Sequence, residues 1–75
     1  MKYAKFKGGY HYFKVDDNFI GISVYLNGSN AAISTFTGGA RWFGKMYEAI
    51  TEKEFNAVKS AAQHILDSFD TEKNL

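Results

Sequence analysis

The sequence predicts an α+β fold, an antiparallel β-meander of three to five strands with one C-terminal amphipathic helix packed on one face. Three observations carry that reading. Residues from Ile50 to Phe69 bear an apolar stripe of helical period beside a helix start signal. The residues before them alternate with the period of two that strands require, and glycines and Asx clusters interrupt them. A helix with such a stripe must bury it against a second layer, and a sheet is the layer this chain offers.

The 75 residues form a single domain, 1–75, near the lower size at which one core suffices without staples. The chain has no cysteine, which removes disulfides and thiolate metal sites and makes a reducing, cytoplasmic setting the expectation. Met1 to Lys7 carries lysines but no apolar run of signal-peptide length, and no stretch is long enough to span a membrane, so no membrane partner is expected. Seven Phe, five Tyr and one Trp exceed what so small a core hides easily, so some rings should face outward.

In Lys2–Lys7, Tyr3, Lys5 and Lys7 alternate with Ala4 and Phe6, as in a short strand. Gly8 and Gly9 suit a tight turn or a bulge, so residues 2–7 and 10–15 are either two strands or one bulged strand. Beyond them Tyr10, Tyr12 and Lys14 share one face and His11, Phe13 and Val15 the other. Asp16, Asp17 and Asn18 close that segment as a turn.

Phe19–Leu26 is the clearest strand, with Ile20, Ile22, Val24 and Leu26 on one apolar side. Asn27-Gly28 then reads as a type I′ hairpin turn, pairing Leu26 with Ser29, Val24 with Ala31, Ile22 with Ile33 and Ile20 with Thr35. A four-residue loop from Asn27 to Asn30 would keep the same faces. Thr37 to Ala40 forms a turn, and Arg41–Ala49 returns as the last strand. Its parity is open; the preferred reading turns Trp42 and Met46 to the helix and leaves Arg41, Phe43, Lys45 and Tyr47 outside, where the charges meet water.

The helix is expected from Thr51 to about Phe69. Thr51 and Glu54 make a capping box, and Ile50 and Phe55 a hydrophobic staple. Phe55, Val58, Ala62, Ile65 and Phe69 form the stripe, which Ala61 and Leu66 widen. It is expected to pack on the face bearing Phe6, Phe13, Ile20, Ile22, Val24 and Ile33, with the tail from Asp70 to Leu75 fraying.

Chemistry-bearing motifs are weak. His11 and His64 stand apart from any carboxylate or second ligand in the pattern a zinc site needs, so neither a metal nor a cofactor is expected. Glu48, Glu52 and Glu54 cluster at the helix start, where the helix dipole accounts for them. Gly8-Gly9 and Gly38-Gly39 lead into further strand, whereas a phosphate cradle leads into a helix. The serines show no nucleophile elbow. A non-enzyme is therefore the expectation.

Net charge is +1, but its distribution is uneven: up to Tyr47 six cations meet two anions, while from Glu48 onward three meet six. One helix covers one sheet face, which leaves the other to Tyr3, Tyr10, Tyr12, Phe19, Tyr25, Phe36 and Phe43 among Lys5, Lys7, Lys14, Arg41 and Lys45. The expected function is a small interaction module, an adaptor, inhibitor or dimerisation unit, binding a protein partner or itself as a homodimer. Its partner-binding residues would be Tyr10, Tyr12, Tyr25, Phe36, Arg41, Phe43, Lys45 and Tyr47. Single-stranded nucleic acid on the same face is one alternative. A small-ligand binder or enzyme is another, which a deep pocket near His11 would favour.

Overall fold

The computed structural model describes residues 1–38 and 46–73, the last four by their backbone alone. Five strands, β1 (Lys2–Phe6), β2 (His11–Val15), β3 (Ile20–Asn27), β4 (Asn30–Thr37) and β5 (Tyr47–Ala49), precede one helix, α1 (Glu52–Lys73). The sheet is antiparallel with order β4-β3-β2-β1-β5. Strands β1 and β2 are therefore separate, and β1 to β4 form the meander. β5 closes the far side by pairing with β1, with Lys5 opposite Glu48 and Phe6 opposite Tyr47.

Thr51 caps α1 as its sequence implies: its hydroxyl accepts from the Glu54 N–H at 3.0 Å. The chain is tied down just before, where the Ile50 N–H donates to the Tyr3 carbonyl at 3.1 Å. The helix then runs to Lys73, past the end that the stripe marks and through the first part of the tail expected to fray. Phe55 and Ala62 are fully buried with Val24, and Tyr3, Tyr12, Ile22, Leu26, Ile33 and Val58 pack around them. Farther on the stripe outruns its cover, leaving Phe69 54% exposed. Ile20 has the parity of this face but lies 47% exposed.

The β3–β4 turn differs from the type I′ expectation. Asn27 pairs with Asn30, Leu26 with Ala31 and Val24 with Ile33, the register of the longer loop. Gly28 alone of the four turn residues has positive φ, 61°, the pattern of a type II′ turn with glycine at its first central position.

The larger correction concerns faces. Tyr12 stands opposite Val24 and Lys14 opposite Ile22, so Tyr3 and Tyr12 face the helix while Phe6 and Phe13 face away from it. The cause lies in the β2–β3 turn. The Phe19 N–H donates to the Asp16 carbonyl and the Asp16 N–H to the Ile20 carbonyl, both at 3.0 Å, with Phe19 itself at φ 60°. Phe19 is thus an extra, left-handed bulge residue, and Val15 pairs with Gly21 rather than Ile20. A shift of one residue sends every side chain of β1 and β2 to the opposite face from that expected. The turn is held by the Asp16 carboxylate, which accepts from the Asn18 N–H at 2.8 Å and the Ile20 N–H at 3.1 Å.

Candidate functional site

The register collects rings on the sheet face opposite α1. β1 supplies Phe6, β2 His11 and Phe13, β3 Tyr25, β4 Phe36 and β5 Tyr47. Phe13 sits at their centre, 4% exposed, with its ring 4.7 Å from Phe36 and 5.2 Å from Tyr47 between centroids. Tyr47 also meets Phe6 edge-on at 5.4 Å. On the other flank His11 lies 4.9 Å from Tyr25, and Tyr10 stands edge-on to Tyr25 at 6.4 Å. Edge-to-face and tilted contacts of this kind fix ring orientation as well as burying area.

Between them is a concavity of about 500 Å³, lined by these rings with Gly9 and Ser23. Gly9 shapes its rim, since a Cβ there would stand 2.6 Å from the Phe6 ring. Beneath the rings Ala4 and Val15 are buried, giving the face a small core of its own. Burial pushes the Tyr47 phenol above its ordinary pKa, so it stays neutral and a hydrogen-bond donor throughout the physiological range.

Of the residues the sequence proposed for binding, Tyr10, Tyr25, Phe36 and Tyr47 converge here. Tyr12 does not: it lies on the helix face against the α1 core. Arg41, Phe43 and Lys45, with Trp42, fall outside the described residues. Of the last strand expected over Arg41–Ala49, Tyr47–Ala49 is strand, with Tyr47 on the face away from the helix as preferred, whereas Met46, expected at the helix, stands in a turn and is 55% exposed. Phe6, Phe13, His11 and Ser23 are the additions. Ser23 already shares the face of Tyr25 by alternation, and once Phe19 is recognised as a bulge the other three join it.

Two of the basic residues expected among the rings lie elsewhere. Lys5 and Lys14 have helix-face parity, and Lys5 pairs with Glu48 at 3.1 Å. That contact, a hydrogen bond reinforced by charge, raises the Lys5 pKa. Lys2 lies 4.6 Å over the Phe19 ring. On the helix face the Tyr3 phenol is raised by desolvation and by donating to Glu52 at 3.1 Å.

Among the described residues no group of three or more His, Cys, Asp or Glu side chains is placed to hold a metal ion. No helix among them is long and apolar enough to cross a membrane. No protein-family model, curated protein or solved structure matches this chain.

Proposed function

We propose that this chain is a small non-catalytic interaction module that holds an apolar side chain of a protein partner in the aromatic concavity opposite α1. The observation that supports it is the convergence of rings from all five strands on one 500 Å³ hollow. Such a hollow suits an anchor residue, because interface energy concentrates where a side chain fills a desolvated pocket. The walls are already ordered by ring-on-ring contact, so docking costs little in side-chain entropy. Among the described residues they carry no lysine, arginine or carboxylate, which favours an uncharged apolar occupant. An adaptor or inhibitor in a reducing, cytoplasmic setting fits a chain without cysteine.

A second reading is a small planar ligand, which the placing of His11 and Ser23 at the hollow's wall favours. Nucleic acid draws less support, since phosphates need cations beside the stacking rings and Lys5 and Lys14 lie on the other side of the sheet.

Selection of peptides from a random displayed library against the folded protein tests the main reading. Selected peptides should share an apolar anchor and lose about tenfold or more in affinity for Tyr25→Ala or Phe36→Ala. Peptides with no common apolar residue, or equal affinity for the variants, would refute it.

A further inference from the structure

We propose that the edge of β4 away from β3 pairs antiparallel with β4 of a second copy of this chain, joining two five-stranded sheets into one. The inference does not depend on what fills the concavity. It rests on the two sheet edges being unlike. β5 is three residues long, and its central Glu48 is tied to Lys5. β4 is eight residues long, Asn30–Thr37, and contains no charge, proline or glycine. A long neutral strand has neither the charges nor the proline that keep sheet edges from pairing.

The hairpin determines which groups the edge presents. With Asn27 opposite Asn30 closing a two-residue turn, Asn30, Ala32, Ser34 and Phe36 exchange hydrogen bonds with β3. The Gly38 N–H, donating to Phe19, keeps the same parity. The N–H and C=O groups of Ala31, Ile33, Thr35 and Thr37 therefore point away from β3, and among the described residues no strand pairs with them. Backbone groups in extended conformation that no strand pairs with are matched by a second extended backbone.

Self-pairing meets that demand in one favoured register. About a two-fold axis at Ser34, Ala31 stands opposite Thr37 of the second copy and Ile33 opposite Thr35, so every outward residue is engaged in about eight hydrogen bonds. A slip of two residues leaves some of them out. On the aromatic face this register sets exposed Ala32 against the Phe36 ring of the second copy, small against large. Because β4 is uncharged, no like charges oppose one another across the axis. Both concavities then open on the same side of the joined sheet, and both α1 helices flank the axis on the other.

Sedimentation equilibrium over a concentration series, with amide hydrogen exchange at each end of it, tests the proposal. The wild type should dimerise, with protection rising alternately at Ala31, Ile33, Thr35 and Thr37 as it does. Ser34→Lys should weaken the dimer by about tenfold or more, because two like charges then oppose each other at the axis. An equimolar mixture with Ser34→Glu should restore it, which excludes misfolding as the cause. Tyr25→Ala should leave the dimer intact, so the pairing and the concavity succeed or fail separately. A monomer at every concentration, a dimer without that alternating protection, or a dimer indifferent to Ser34→Lys would each overturn the proposal.

Discussion

Phe13 and Tyr47 meet at 5.2 Å and 72° although their strands do not pair: β1 lies between β2 and β5, and the rings touch across it where Ala4 stands. Ala4 is buried beneath them, and its small side chain leaves the room that lets them meet. The aromatic face is thus a packed layer, and its shape depends on one small residue and one central ring.

Removing that ring should cost stability as well as binding. Phe13→Ala should destabilise the domain by about 3 kcal/mol, the lower range for a buried phenylalanine. Tyr10→Ala, at a ring 51% exposed, should cost well under 1 kcal/mol. Urea unfolding of the two variants measures the difference, and equal losses would mean that the face has no core.

Filling the space above β1 should have the opposite geometry and the same sign. Ala4→Leu should destabilise by about 1–3 kcal/mol by overpacking and force Phe13 from Tyr47. Loss of the ring-current shifts of both residues in the NMR spectrum would report the separation.

Two glycines should differ sharply. A Cβ at Gly21 would lie 1.9 Å from the Lys14 carbonyl oxygen, a backbone atom that cannot move aside without breaking the β2–β3 ladder. Gly21→Ala should therefore cost more than about 3 kcal/mol or prevent folding. At Gly28, with φ 61° and open space around it, Ala should cost about 1 kcal/mol through backbone strain alone. Thermal unfolding of both variants checks the order.

The pH dependence should have an alkaline limb. Tyr3, Tyr47 and Lys5 all have pKa values raised on folding, the first two mainly by desolvation and the third by Glu48. A raised value means that the folded state holds its proton more tightly. The stability these groups add is therefore complete below about pH 10, where free tyrosine begins to ionise, and is lost as pH rises through the folded values. Unfolding midpoints between pH 8 and 11.5 should fall only in the upper part of that range. Glu48→Gln should reduce the Lys5 share slightly, as expected of a solvent-exposed pair.

Much of this architecture is written in local chemistry. Thr51, Glu54 and the Phe55 stripe specify α1, because capping and helical period act over a few residues. The β3–β4 hairpin follows from Gly28 next to strong alternation, although its register turned on which residue takes the left-handed conformation. The faces of β1 and β2 were not legible for the same kind of reason at Phe19. A left-handed bulge position normally carries glycine or asparagine, and an aromatic there reads as the first residue of a strand. That one position decided whether Phe6 and Phe13 or Tyr3 and Tyr12 build the aromatic face. The pairing of β5 with β1 is a long-range choice, visible in the fold as Lys5 opposite Glu48 but unmarked in either segment alone.

The most direct test of the aromatic face as a docking site is side-chain NMR of the folded protein titrated with N-acetyl-tryptophan amide, a neutral stand-in for an apolar anchor. Binding should shift the ring resonances of Phe13, Tyr25, Phe36 and Tyr47 together, with one millimolar-range constant, and leave Tyr3 and Tyr12 on the helix face unmoved. Shifts confined to Tyr3 and Tyr12, or no saturable shift at any ring, would contradict it.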